Sequence, residues 1–161
     1  MTTIAIDKYG TIAADGLRTW GGDIVGRTEQ KIRMRHGRIY ALTGTAGFFE
    51  PLIAWHGEHH ANPEKMPKCE GENDWTLIVI DRPGLVTKYT KTCPYPETFE
   101  PPVAFGAGLD LAKGAMLFGA SAREAVELVA HNTNHTGGEI LSWDIAMALA
   151  AHAVPVKEAA E

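Results

Sequence analysis

Apolar and polar positions fall into short runs that read as strands in the first half of the chain and as mixed helices and strands in the second. Residues 2–7 (TTIAID) and 11–15 (TIAAD) are short, β-branched at several positions and separated by Lys8-Tyr9-Gly10, which predicts a hairpin. Residues 24–35 alternate weakly. Residues 38–43 (RIYALT) make a better strand, with His36-Gly37 as the turn before it and Gly44 as its stop. Between residues 46 and 60, Phe48, Phe49, Leu52, Ile53 and Trp55 recur at helical spacing. Pro51 fits only near a helix start, so the main helix is predicted from about Glu50. Residues 62–73 are polar and carry Pro63, Pro67 and Gly71, the composition of a surface loop. The run 75–80 (WTLIVI) is almost continuously apolar, which predicts a strand buried on both faces. Asp81-Arg82-Pro83-Gly84 then turns the chain into a second strand over 85–90.

Residues 93–102 hold four prolines and are predicted to be an irregular connection. A short strand over 103–105 ends at Gly106-Ala107-Gly108, and a helix over 109–118 follows, weakened by Gly114. Ser121 with Glu124 three residues on is a capping-box signature for a helix that runs to about Ala130. Gly137-Gly138 breaks the chain before a strand over 139–145 and an alanine-rich terminal helix over 146–153. Runs of strands followed by runs of helices predict an α+β fold, a sandwich of sheets covered by helices on each side, in place of alternating βαβ units.

Composition narrows the class. At 161 residues the chain has the size of one domain, taken as 1–161, and is too short to carry its own ATPase motor. Apolar residues at 45% and charged residues at 22% are ordinary for a globular protein. A net charge of −5 argues against a general nucleic-acid binder. No apolar run approaches the roughly 18 residues that span a bilayer. Met1-Thr2-Thr3-Ile4 carries no basic segment followed by an apolar core, so no export signal is expected. Cys69 and Cys93 form neither a C-x-x-C pair nor a disulfide framework, which fits a cytoplasmic location.

The most informative position for chemistry is Thr2. A threonine after the initiator methionine is normally exposed by removal of that methionine, so the mature chain is expected to begin at Thr2, with no long propeptide. One residue then carries both a hydroxyl nucleophile and a base, its own α-amino group. Such an amine has an unperturbed pKa near 7.7–8.0, already close to operating pH. Counting outward from the turn at 8–10 places Asp15 opposite the first residues, near Thr2. Lys31, at the start of a predicted strand, would lower the Thr2 amine pKa by like-charge repulsion if buried beside it, with Asp15 as counter-charge. Gly44 lets a substrate backbone come close, and its N–H is a candidate oxyanion donor. Each of these, taken alone, also has an ordinary structural explanation.

Other constellations carry less. His56-Gly57-Glu58-His59-His60 has helical spacing but meets a polar loop, so it reads as a solvated helix end, and no metal is expected. His131 and His135 precede Gly137-Gly138 and read as helix termination. Gly106-Ala107-Gly108 lacks the lysine and full spacing of a phosphate loop. Phe48, Phe49 and Trp55 read as core or subunit contact.

The chain resembles the proteasome β-type peptidases, N-terminal-nucleophile threonine hydrolases, and within them bacterial HslV-like homologues. The resemblance is carried by Thr2-Thr3-Ile4-Ala5, Gly10 through Ala13-Ala14-Asp15 and Arg18, Lys31-Ile32, Thr43-Gly44-Thr45-Ala46-Gly47, the strands at 75–80 and 85–90, and Ala104-Phe105-Gly106-Ala107-Gly108. It implies a four-layer αββα sandwich of two antiparallel sheets, with Thr2 as nucleophile, Asp15 and Lys31 as the charged pair that tunes it, and Gly44 as the oxyanion-hole amide. It also implies stacked hexameric or heptameric rings enclosing the sites, unfolded protein or peptide substrates, no cofactor, and a possible separate ATPase unfoldase. Two segments depart from the family. Ala107 stands where members usually have serine. In His131-Asn132-Thr133-Asn134-His135-Thr136, either Asn132 or Thr133 falls at the usual aspartate position and Thr136 at the following hydroxyl. The departures leave two alternatives to a working threonine peptidase: a ring-forming homologue with little activity, and an amidase of the same architecture acting on small amides.

Overall fold

A computed structural model describes residues 2–69 and 74–153. Met1, the end of the predicted loop at 70–73 and residues 154–161 lie outside the described residues. In chain order the elements begin with β1 (Thr3–Ile6), β2 (Thr11–Asp15), β3 (Arg18–Trp20), β4 (Asp23–Gly26), β5 (Ile32–Arg35) and β6 (Arg38–Thr43). A 3-10 turn leads into α1 (Phe49–Glu58), then β7 (Thr76–Arg82), β8 (Leu85–Thr90), β9 (Glu97–Phe99) and β10 (Val103–Gly106). The chain continues through α2 (Leu109–Leu117), α3 (Ala122–Asn132), β11 (Ile140–Asp144) and α4 (Ile145–Ala151).

Two antiparallel sheets stack face to face. The first has the order β10-β1-β2-β11 and the second β5-β6-β7-β8-β9. Strand alternation sorts the side chains into layers. Ile4, Ile6, Ile12 and Ala14 of the first sheet meet Ile39, Ala41, Ile78 and Ile80 of the second in the central core, which α4 closes with Ile145. The other face of the first sheet offers only Ala5 and Ala13 near its centre, and these small residues let α2 and α3 seat Ala112, Ala122, Ala125 and Val126 directly on it. The outer face of the second sheet presents Tyr40, Leu42, Leu77 and Val79 to Leu52, Ile53 and Trp55 of α1. The continuous apolar run of β7 thus feeds two cores at once, as a strand buried on both faces must. The α+β sandwich read from the order of elements is the observed fold.

Local signals explain most boundaries. The Ser121 capping box is formed, with the Ser121 side chain accepting from Glu124 N–H and the Glu124 carboxylate accepting from Ser121 N–H at 2.8 Å. Asp7, itself buried, ties the first hairpin to this helix: its carboxylate accepts from Tyr9, Thr11 and Ala122 N–H groups. Three predictions need correction. The weak alternation over 24–35 hides the end of a separate hairpin, β3 and β4, turning at Gly21-Gly22, followed by β5. The proline-rich stretch 93–102 contains β9, a three-residue edge strand that fits between its two proline pairs and pairs only with β8. His56 is not a solvated helix end, because its ring sits half-buried between Tyr40 and Tyr89.

Candidate active site

The first hairpin brings the N-terminal strand back against its own carboxylate. Ile4 lies opposite Ala14, so the next residues outward, Thr3 and Asp15, face each other. Thr3 N–H donates to Asp15 Oδ1 at 2.8 Å. On the other side of β1, the turn after β10 holds Thr2: Ala107 N–H donates to the Thr2 carbonyl oxygen at 2.8 Å. Gly106 makes that approach possible. Its φ is +92°, and a Cβ there would land on the Thr2 carbonyl oxygen. Thr2 is consequently 4% exposed although it stands at the end of a strand.

Asp15 is a hub. Besides Thr3 it accepts Lys31 Nζ at 3.1 Å on Oδ1, and the N–H groups of Leu17 at 3.2 Å and Gly137 at 3.3 Å on Oδ2. The Lys31 and Asp15 side chains are 8% and 0% exposed. Burial pushes the Lys31 ammonium below its ordinary pKa, while the Asp15 charge and hydrogen bond and the more distant Glu29 carboxylate oppose that shift. A buried cation in this position needs its carboxylate partner, since the desolvation cost of an unpaired charge runs to several kcal/mol.

Thr2 and Lys31 open onto a cleft of about 1010 Å³, walled by Gly44 and Ala107 and by Trp20 and Glu29 near the rim. Gly44 has φ +109°, and a Cβ there would lie 2.5 Å from the Asp74 carbonyl oxygen and 3.0 Å from Trp75 Cα. Only glycine fits both the conformation and the space. The rim carries charge: Arg18 pairs with Glu29 at 3.4 Å. Among the described residues no group of three His, Cys, Asp or Glu side chains is placed to hold a metal ion.

Thr2, Asp15, Lys31, Gly44 and Ala107 are therefore brought together. Thr136 is also close, buried with its hydroxyl 2.6 Å from that of Thr3. Asn132 and Thr133 are not brought in. Their side chains donate to the Leu128 and Val129 carbonyls at the end of α3, at 2.7 and 3.0 Å. Sequence reasoning missed the β3–β4 hairpin that forms one rim. Its signal was present in the Gly21-Gly22 pair, which suits a two-residue turn.

The architecture is shared with Thiobacillus denitrificans BPH. A structure described as BPH in complex with epoxomicin is 21% identical and matches 89% of this chain and 97% of its own, with a TM-score of 0.65. A second structure of BPH, also 21% identical, matches 89% and 96% with a TM-score of 0.62. TM-scores at this level show a common fold, and at 21% identity the likeness shows the fold alone. No protein-family model and no curated protein matches the chain.

Proposed function

We propose that the chain is an N-terminal threonine hydrolase of proteasome β-type character that cleaves peptide bonds by acyl transfer. The observation that carries this reading is the position of Thr2 on the wall of a large cleft that Lys31 also lines, with the next N–H along the chain, that of Thr3, bonded to the Asp15 partner of that lysine. In the proposed reaction, removal of Met1 frees the Thr2 amine. That amine takes the hydroxyl proton as Thr2 Oγ1 attacks the substrate carbonyl. The Lys31 cation disfavours protonation of the amine and favours negative charge on the oxygen. The Gly44 N–H is assigned to the developing oxyanion. The amine returns the proton to the leaving nitrogen as the peptide bond breaks, leaving an ester on Thr2. Water, deprotonated by the same amine, then hydrolyses the ester and restores the hydroxyl.

The resemblance in sequence extends the proposal to stacked hexameric or heptameric rings in the cytoplasm, fed with unfolded protein or peptides, with a separate ATPase as the unfolding partner. No helix among the described residues is long and apolar enough to cross a membrane. Exposed Leu117 and Phe118, at 65% and 97%, are the kind of apolar surface that subunit contacts cover.

Thr2→Ala tests the reading. Loss of peptide turnover to background with an unchanged melting temperature is expected, and full turnover by that variant would reject Thr2 as the nucleophile. The complex of BPH makes epoxomicin a second probe. Retention by the wild-type chain and loss in Thr2→Ala are expected. A wild-type chain that assembles but turns over neither peptides nor small amides would favour the degenerate reading that Ala107 suggests.

A further inference from the structure

The peptide group that joins Thr2 to Thr3 is gripped from both sides. Its carbonyl oxygen accepts Ala107 N–H and its N–H donates to Asp15, each at 2.8 Å. One side chain further on, Thr3 is fully buried and its hydroxyl meets the Thr136 hydroxyl at 2.6 Å. The pocket around Thr3 is cut to size: a Cβ on Gly108 would lie 2.5 Å from Thr3 Oγ1. Thr136 opens a segment that returns to the same carboxylate. Gly137 N–H donates to Asp15 Oδ2 at 3.3 Å, and the Gly137 carbonyl accepts Gly16 N–H at 3.1 Å. Glu139 N–H then donates to the Arg27 carbonyl at 2.7 Å. Asp15 thus holds both β1 and the segment 136–139, and the hydroxyl pair closes the circuit between them.

From this circuit we infer that Thr3 and Thr136 are a positioning pair for the Thr2 hydroxyl, an inference that rests on Thr2 being the nucleophile. A nucleophile on the first residue of a mature chain has no backbone on its N-terminal side. Its orientation is set through the peptide group to Thr3 alone, and chain ends fray unless tied down. The pair is buried away from water, so removing one hydroxyl leaves the other unsatisfied and frees the strand to shift. Misplacement of a reacting group by about 1 Å costs on the order of a hundredfold in rate. Neither hydroxyl takes part in the chemistry itself.

The test is a double-mutant cycle with Thr3→Val and Thr136→Val, reading kcat and KM on a fluorogenic peptide and the melting temperature of each variant. Each single substitution is expected to lower kcat by about tenfold or more with KM held within about twofold. The double variant is expected to lose no more than the worse single, because both break one bond. Thr136→Ser is expected to recover most of the rate lost in Thr136→Val. Valine variants as fast as wild type, losses that multiply in the double variant, or an effect confined to KM would each overturn the pair. If Thr3→Val fails to fold, the two Thr136 variants decide alone: valine slow and serine fast supports the pair, and valine as fast as wild type overturns it. An inactive wild-type chain would defeat the reading of Thr2 as nucleophile and this inference with it. Active wild type beside equally active valine variants would overturn the pair and leave the nucleophile standing.

Discussion

Asp15 accepts four hydrogen bonds, so the proposed chemistry and the stability of the fold meet at a single residue. Asp15→Ala is expected to cost about 3–5 kcal/mol in denaturant unfolding, since it strips the buried Lys31 of its carboxylate and two loops of an acceptor. Because burial lowers the Lys31 pKa from 10.5, the ammonium discharges earlier on the alkaline side than an exposed lysine would. Turnover is therefore expected to rise as the Thr2 amine deprotonates and to fall again before pH 10.5. A pH–rate profile still climbing at that point would exclude a role for the cation. Gly44→Ala meets the Asp74 carbonyl at a positive φ, so a loss of about 1–3 kcal/mol and of most activity is expected. These residues were legible in the sequence for a physical reason. A hairpin of known turn position fixes its own register, so counting from residues 8–10 brought Asp15 to the N-terminus. Thr3 against Thr136 was not legible. The two are 133 positions apart, and no local rule sets where a segment after a helix end comes to rest. Asn132 and Thr133 stay with α3, as its last residue and its C-cap, where their side chains bond back to helix carbonyls.

At the scale of elements, strong periodicity and explicit caps were readable, and weakly patterned edges were not. β1, β2, β6 and β7 each carry alternating or continuous apolar residues because both their faces are covered. β3, β4 and β9 are short and largely exposed, so tertiary pairing defines them and burial leaves no trace in their sequence. The helix α1 makes a prediction of its own. His56 accepts or donates through Nδ1 to the Tyr40 hydroxyl at 2.9 Å, and burial, with Arg38 nearby, lowers its pKa from 6.5 to about 4. The unfolded chain then binds more protons than the folded one between those values, so stability is complete above pH 6.5 and declines as pH falls towards 4. Each unit of difference is worth at most about 1.4 kcal/mol, and residual solvent contact reduces it. Melting curves from pH 7 to 4 are expected to show the decline in wild type and a flatter profile in His56→Gln. An identical decline in both would place the effect elsewhere.

Among the described residues two large sheets stack with α1, α2 and α3 on their outer faces, and the candidate site lies where β1 begins and β6 ends at Gly44. That placement connects fold and chemistry: both sheets contribute, so the cleft exists only in the assembled sandwich. Small residues at Ala5 and Ala13 set the helix layer close to the first sheet, and the bulky aromatic set of Tyr40, Trp55 and Trp75 fills the other side. The order of elements pointed to a sandwich of sheets covered by helices, whereas assembly leaves little mark on a single chain beyond exposed apolar side chains such as Phe118. Native mass spectrometry is expected to show a stacked-ring oligomer, and a monomer under all conditions would remove the ring from the account. In the proposed mechanism Thr2 acts through its own free amine. The intact mass of the purified, peptide-cleaving protein tests it most directly. A chain that begins at Thr2, lighter by the initiator methionine, is expected. An active protein that retains Met1 would tie that amine into a peptide bond and contradict the mechanism.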